Sequence, residues 1–509
     1  MYQHRIISVF VLVFILISIP YLAGVISGGN EFVFNGFLAN PLDGNSYLAK
    51  MIEGYKGEWS FKLPYSIEPG EGSHIFLFYI FLGHIARFLN VEPVIIFHLT
   101  RIITFIFLYF MLYQFILHFF DKDRGKTWLT FLIVSFGSGM GWLALSLGLK
   151  TSDLWVAEAY PFLSAYQNPH FPLGLGLMLL ILILFFRTEG RASFIGLFFS
   201  SLILAIVLPF GAVVIGLVIF LEQIWSYFQK ERIQLVKILI LMIGSLPVVI
   251  YQYYLVNIHP QLRIWNEQNR TPSPPIWDFF LSFSPVLILA IIYIATKLKR
   301  NKFDLFKLLA VWTILGLLII YLPIGIQRRF MVGYFIPVSI LASAFILTFA
   351  NKKLRVAGFA TLLASSLMTI SFILLAGISG IGNHNPLLFL SKLEADGLKW
   401  FKANGLVDQV VLADNRMGMY IPAHTFLRVI YGHPFETINA ERSREIVEKF
   451  YGCEYTPDQA EEVVSKFAVN FIFLNQNDPK ICYPKLFEKA ELRFQANEAA
   501  QIVEIYEIK

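Results

Sequence analysis

Two cysteines in 509 residues, with no CxxC or HExxH spacing, remove the usual grounds for a structural zinc site. No GxGxxG or GxxxxGK[ST] segment is present, so nothing in the chain marks a nucleotide-phosphate cradle. Internal repeats are also missing, which removes one mark of a transporter built from paired halves. Charge is scarce, at 15% of residues, against 56% hydrophobic residues and a mean hydropathy of +0.62. That balance excludes an ordinary soluble globule, because so much apolar surface cannot be hidden in a water-surrounded core of this size.

What the chain has instead is long apolar runs. A hydrocarbon layer of about 30 Å needs roughly 20 helical residues, and residues 6–26, 94–119, 128–149, 236–255, 305–324 and 356–378 meet that length. Shorter runs at 173–186, 193–208, 211–225, 279–295 and 336–350 bring the expected spans to eleven. Each is read as a helix, since lipid leaves no partner for an open sheet edge. The first run follows Arg5 as a signal peptide would, but it is too long for one and shows no clear small-residue cleavage site, so it is read as a retained helix.

Orientation turns on residues 75–89, about four turns carrying His84 and Arg87. If this segment lies in the interface, the clusters Lys122/Arg124/Lys126, Arg187/Arg191, Lys230/Arg232, Lys297/Lys299/Arg300/Lys302 and Lys352/Lys353/Arg355 share the cytoplasmic side; if it spans, all five fall outside. The positive-inside rule selects the first case. It gives a multi-pass protein with a cytoplasmic amino terminus and an extracytoplasmic carboxyl end, for which a prokaryotic plasma membrane is the expected location.

Two domains are expected: a membrane domain at 1–380 with an outer juxtamembrane loop at 27–93, and an extracytoplasmic α/β domain at 381–509. The second carries 14 Lys/Arg against 18 Asp/Glu, so the basic pI of 9.0 belongs to the membrane portion and is poor evidence for nucleic-acid binding. Strands are expected at 409–413, 471–474 and 500–508, and helices at 391–403, 441–451 and 457–467. Cys453 and Cys482 both lie here, where an outward location permits a disulfide; two unrelated small apolar side chains is the other reading. Gly418 and Gly432 read as turns, with Asp414, His433 and Glu436 lining a surface cleft.

The sharpest local signal lies after the first run. Asp43, Tyr47 and Lys50 recur at i, i+4 and i+7, so on a helix they share one face, while Leu48, Met51, Ile52 and Tyr55 form an apolar face. The same stretch also suits a helix start with Asp43 as N-cap.

The segment "LDGNSYLAKMIEGYKGEWSF" followed by "EPGEGSHIFLFYIFLGHIARFLNVEP" resembles the start of the GT-C integral-membrane glycosyltransferases, including the protein mannosyltransferase and aminoarabinose transferase branches. The shared pattern is an acid, an aromatic four residues on, a Gly-rich turn and a Tyr-bearing juxtamembrane helix. The layout matches through most of the chain, the motif only over its first 100 residues or so. The resemblance implies a polytopic helical fold of about eleven spans with a carboxyl-terminal α/β domain. It also implies sugar transfer from a polyprenyl-phosphate donor at the outer face, with Asp43 as the base for an acceptor hydroxyl. Two departures leave the branch and the acceptor open: Gly44 and Asn45 follow Asp43 where a second acid would be adjacent, and Ser73 to Tyr79 replaces the aminoarabinose branch's "PPL-Y".

A phosphate-bearing donor needs cations, for which Arg328 and Arg329 are candidates, with snorkelling to headgroups as the plain alternative. Arg101 lies inside a span, where a charge implies a cavity or a partner. His74, Lys50, Tyr47, His170 and Trp265 complete the substrate-binding candidates, although capping and interfacial anchoring also explain them. Asp153 and Glu158, with Asp43, are candidate oxygen ligands for a divalent cation such as Mg or Mn. The expected partners are a polyprenyl-phosphate sugar donor, a glycan, lipid or protein acceptor and membrane lipids, without nucleic acid. The competing reading is a non-catalytic transporter or envelope-assembly scaffold for lipid-linked glycans.

Overall fold

Long apolar stretches with few helix breakers fold as helices wherever lipid supplies no hydrogen-bond partner. The computed structural model describes residues 2–299, 306–475, 478–498 and 501–509. Arg300 and Lys302 of one basic cluster, the start of the 305–324 span and the start of the 500–508 strand lie outside them. Seven described helices are long and apolar enough to cross a membrane, and an eighth span results if one bent pair counts as a single crossing. The seven are His4–Ser27, Pro93–Phe119, His170–Arg187, Pro209–Phe228, Leu235–Ile258, Gln327–Leu347 and Lys352–Gly382. The eleven expected spans are therefore not all of spanning length: Arg191–Val207 and Lys307–Ile319 are apolar but shorter.

Two expected spans are broken, for local reasons. The 128–149 run gives a helix over Arg124–Ser135, capped by Asp123, whose carboxylate accepts the Gly125 and Lys126 N–H groups, and then only a single turn at Trp142–Leu145. Beyond it, Gly137, Gly139 and Gly141 let other groups come within backbone contact. A Cβ on Gly139 would meet the Ser282 carbonyl oxygen at 2.0 Å, and one on Gly141 would meet Asp153 Oδ1 at 1.9 Å. The 279–295 run breaks at Ser284-Pro285, where proline lacks the N–H that a continuous helix needs. Its halves, Ile276–Phe283 and Val286–Lys299, are bent by 86°.

The chain forms two units: Met1–Pro20 with His98–Tyr251 and Arg270–Ser379, and Tyr21–Phe97 with Gln252–Asn269 and Gly380–Lys509. The second contains the soluble-pattern sequence. Its five-stranded sheet has the order β4-β3-β5-β7-β6, with β3 (Val410–Leu412), β4 (Arg428–Val429), β5 (Val469–Leu474), β6 (Glu491–Glu498) and β7 (Gln501–Glu507). β3 runs parallel to β4 and β5, while β7 pairs antiparallel with β5 and β6. A second pair, β1 (Phe32–Phe34) and β2 (Phe389–Ser391), is antiparallel. Along β5, alternation sends Phe471 and Phe473 into one core with Phe401, Met417 and Tyr420, and Ile472 and Leu474 into another with Phe450 and Leu486. Helices therefore cover both faces.

Gly418 is not in a turn: it lies inside the Asn415–His424 helix, and a Cβ there would strike the Tyr431 carbonyl oxygen at 2.1 Å. Gly432 returns the contact, its Cβ position being 2.2 Å from the Gly418 oxygen. These glycines serve close backbone approach. Cys453 and Cys482 form a disulfide with their Cα atoms 5.8 Å apart.

Candidate functional site

Asp43 owes its position to the start of a helix. Asn40 takes a left-handed conformation (φ 50°), Pro41 supplies the first helical residue, and the helix runs Pro41–Lys56. Asp43 thus sits in the first turn, two residues after Pro41, instead of acting as the N-cap itself. There the exposed backbone N–H groups favour a carboxylate. Asn40 Nδ2 donates to its Oδ2 at 2.5 Å, and the side chain keeps 42% of its surface exposed. The helix crosses Leu77–Leu89 backbone to backbone, since a Cβ on Gly54 would meet the Ile80 oxygen and one on Gly83 the Met51 oxygen, each at 1.9 Å. Tyr47 stacks on Tyr79 across that pair, with centroids 4.5 Å apart.

Facing Asp43 is a loop from nearly 400 residues later. His433 is 2% exposed, and its Nδ1 accepts the backbone N–H groups of Phe435 (3.1 Å) and Glu436 (3.2 Å). With Nδ1 committed as an acceptor, the neutral ring carries its proton on Nε2. That nitrogen lies 3.8 Å from Asp43 Oδ1 and has no hydrogen-bond partner among the described residues. Three residues on, Glu436 is buried and saturated: Oε1 accepts from Lys50 Nζ at 2.7 Å and Oε2 from Trp265 Nε1 at 3.0 Å. Lys50 is 2% exposed; its ammonium also reaches Ser46 Oγ at 3.2 Å and lies 4.6 Å from the Phe76 ring centroid and 5.3 Å from that of Tyr47. The loop is clamped from the Pro260–Gln268 helix, where Gln268 Nε2 donates to the Thr437 carbonyl and Asn269 Nδ2 to that of Phe435.

Burial pushes the Glu436 carboxyl up, but the Lys50 ammonium, His433 and the donated hydrogen bonds outweigh it and hold the group below its ordinary range. Burial pushes His433 down, against the pull of Glu436 and Asp43. His424 is pushed by burial to about 4, with Glu92 opposing. Both imidazoles bind protons more weakly folded than unfolded, where the value is about 6.5. Their stabilisation is therefore complete above about pH 6.5 and is lost as pH falls through the folded values, with Glu436 adding to the loss below its ordinary carboxylate range. We expect the denaturation midpoint of the second unit, followed by tryptophan fluorescence, to fall between pH 7.5 and 5. An unchanged or rising midpoint at pH 5 contradicts these assignments.

Of the residues singled out in the sequence, Asp43, Tyr47, Lys50 and Trp265 join this constellation. His433 and Glu436 join it too, buried rather than lining a surface cleft, and Asp414 does not. Asp414 caps the Asn415–His424 helix by accepting from Arg416 and Met417, and takes a hydrogen bond from Asn475. His74 is exposed with Nδ1 3.3 Å from the Trp59 carbonyl. Tyr65, whose ring centroid lies 5.8 Å from that of His433, belongs to it with Ser46 and Phe76, and no periodicity or motif in the sequence distinguishes these three.

The other candidates belong to the first unit. Arg101 is 2% exposed, donating to the carbonyls of Ile17 (3.0 Å) and Ala165 (3.1 Å). His170 begins the His170–Arg187 helix with its ring against Phe171. The guanidinium of Arg328 lies 4.4 Å over Trp155 and that of Arg329 5.2 Å over Phe210. Asp153 is buried and accepts from Thr151 Oγ1, Gly141 N, Ser282 Oγ and Thr369 Oγ1. Ser282 bridges it to Asp278, a second buried acid, which stands in the apolar Ile276–Phe283 helix and is marked by no motif. The Glu158 carbonyl accepts from Gly333 N. Among the described residues no group of three His, Cys, Asp or Glu side chains converges as metal ligands. The Asp43, Asp153 and Glu158 cation site therefore gains no support from geometry.

By sequence, the chain matches no protein-family model and no curated protein. By structure it is similar to the apo oligosaccharyltransferase of Archaeoglobus fulgidus, with a TM-score of 0.57 at 13% identity over 93% of this chain and 69% of that one. The archaeal oligosaccharyltransferase AglB from the same organism, in complex with an inhibitory peptide and a dolichol-phosphate, gives 0.51 at 12% identity over 97% and 74%. ArnT from Cupriavidus metallidurans bound to undecaprenyl phosphate gives 0.49 at 11% over 97% and 98%. At such identities the likeness is one of fold, and the fold is that of the GT-C integral-membrane glycosyltransferases.

Proposed function

We propose that this chain is a GT-C-type glycosyltransferase that moves a sugar from a polyprenyl-phosphate-linked donor to an acceptor hydroxyl at the outer membrane face. The observation that carries the reading is Asp43 itself, a half-exposed carboxylate at a helix start, set beside buried polar groups from the 432–439 loop. The acceptor O–H bond breaks as its proton passes to Asp43. The new bond forms between the acceptor oxygen and the anomeric carbon, and the bond from that carbon to the phosphate oxygen breaks, releasing the polyprenyl phosphate. A single direct displacement of this kind inverts the anomeric centre. The cations proposed for the donor phosphate are Arg328 and Arg329; the sugar, and whether the acceptor is a glycan, a lipid or a protein, follow from no residue in the chain. The dolichol-phosphate in complex with AglB supports the donor class by analogy of fold alone.

One observation favours the transport reading: the 86° break at Ser284-Pro285, near the buried Asp153 and Asp278. Against it, serine and threonine side chains and backbone N–H groups take up the hydrogen bonds of both carboxylates. Incubation of the purified chain with radiolabelled polyprenyl-phosphate sugars and a membrane extract separates the two. Transfer puts label on a new molecule, whereas transport carries it across a vesicle bilayer still on its carrier.

The orientation has its own test. A cysteine introduced between residues 351 and 356 should be shielded from an impermeant thiol reagent in intact cells, and one introduced on the surface of the carboxyl-terminal domain should react. Labelling of the first and not the second reverses the topology and moves the proposed site inside.

A further inference from the structure

His433 brings to this site a donor with no acceptor within hydrogen-bond distance among the described residues. A buried N–H without a partner costs on the order of 1–3 kcal/mol, so its retention calls for an explanation. The ring cannot turn to relieve it, because Nδ1 holds the N–H groups of Phe435 and Glu436. Those two bonds also fix where Nε2 points. The 3.8 Å gap to Asp43 Oδ1 is too wide for a direct hydrogen bond, and Nε2 itself is covered; an oxygen roughly 2.8 Å from both atoms would bridge them once the half-exposed Asp43 side chain shifts aside. A hydroxyl there can accept from one side and donate to the other, which neither a second carboxylate nor a cation can do.

We propose that His433 is a second contact to the acceptor: its Nε2–H donates to the hydroxyl oxygen whose proton Asp43 takes. This rests on Asp43 being the base. The imidazole occupies one lone pair of that oxygen and leaves the other to attack the anomeric carbon, so it orients the nucleophile without taking its proton. Around the ring stand Asp43, Glu436 and Tyr65, with Lys50 paired to Glu436. Burial and the two backbone donors on Nδ1 keep the imidazole neutral, the form in which Nε2–H is the sole ring donor. His433 thereby favours a hydroxyl over an amine that is charged at neutral pH, since an ammonium has no lone pair to accept the hydrogen bond.

Two substitutions separate this role from that of holding the loop. The His433→Asn side chain keeps an acceptor where Nδ1 stood but has nothing to reach Asp43; that of His433→Gln keeps a donor near Nε2 and loses the loop acceptor. Transfer would be measured with radiolabelled polyprenyl-phosphate sugar as donor and a detergent extract of native membranes, titrated by mass, as acceptor. His433→Asn should lose about 10²-fold in turnover over half-saturating acceptor, with donor half-saturation unchanged. His433→Gln should stay within about tenfold of wild type. Wild-type transfer by His433→Asn overturns the proposal, as does the reverse order, an inactive Gln variant beside an active Asn variant. Asp43→Asn, run alongside, keeps the two claims apart: if it transfers normally the base assignment fails, and if it is dead while His433→Asn is normal only the His433 contact fails.

Discussion

Replacing Lys50 with Met should cost the second unit about 3–5 kcal/mol, the range for removing one partner of a buried ion pair. The size follows from what is left behind. Glu436 would stay buried, next to the space that the ammonium now fills among the rings of Phe61, Phe76 and Tyr47, holding one hydrogen bond from Trp265 where it now holds two. Both charges are buried, with 2% and 10% of their side-chain surfaces exposed, so solvent screening offers little relief. Glu436→Gln should cost less than Lys50→Met, because its amide still accepts from one neighbour while the ammonium keeps Ser46 and the aromatic faces. The double variant Lys50→Met with Glu436→Leu should recover most of the loss, since apolar replacements of similar volume can match a buried pair. Chemical denaturation in detergent, followed by tryptophan fluorescence, measures all three. A loss below about 1 kcal/mol for Lys50→Met would place the pair in a solvated setting and remove the rigid loop on which the His433 argument depends.

The sequence was most legible where one physical effect dominates. Long apolar runs dictate helices in lipid, and Pro93–Phe119, Leu235–Ile258 and Lys352–Gly382 lie where hydropathy places them. In the carboxyl-terminal sequence, Val-, Ile- and Phe-rich stretches became β3, β5 and β7, and Ser391 opens its helix with a capping box. What escaped were the two- and three-residue β1, β2 and β4, too short to show a period, and β6, whose residues are mostly polar and half or fully exposed and so lack the alternation that marks a half-buried strand. The breaks at Gly137–Gly141 and Ser284-Pro285 interrupt runs whose hydropathy is continuous; glycine and proline chemistry, not apolarity, sets them. At the site, the i, i+4, i+7 spacing put Asp43, Tyr47 and Lys50 on one face, but the partners of Asp43 and Lys50 in the 432–439 loop follow after 386 residues or more. No local period records such a pairing. His433 and Glu436 were visible as chemistry-bearing residues, while the burial that makes them a site depends on how Gly418 meets Gly432.

The larger effect on activity is expected from Asp43→Asn, with turnover down by about 10²–10⁴-fold, the range for losing a positioned base. The amide keeps the shape of the carboxylate and can still meet Asn40 after a flip, and the side chain is partly exposed, so folding should change little. Donor binding should also survive, because the cations proposed for the phosphate are Arg328 and Arg329.

The most direct test puts wild type and Asp43→Asn into proteoliposomes with one radiolabelled polyprenyl-phosphate sugar and a membrane extract, and measures donor retention and transferred label in the same samples. Donor retention should be equal for both proteins, with transfer by the variant lower by at least about 10²-fold. Equal transfer by both would contradict the assignment of the chemistry to Asp43, and donor retention without transfer by the wild type, across a panel of sugars, would contradict the transferase reading itself.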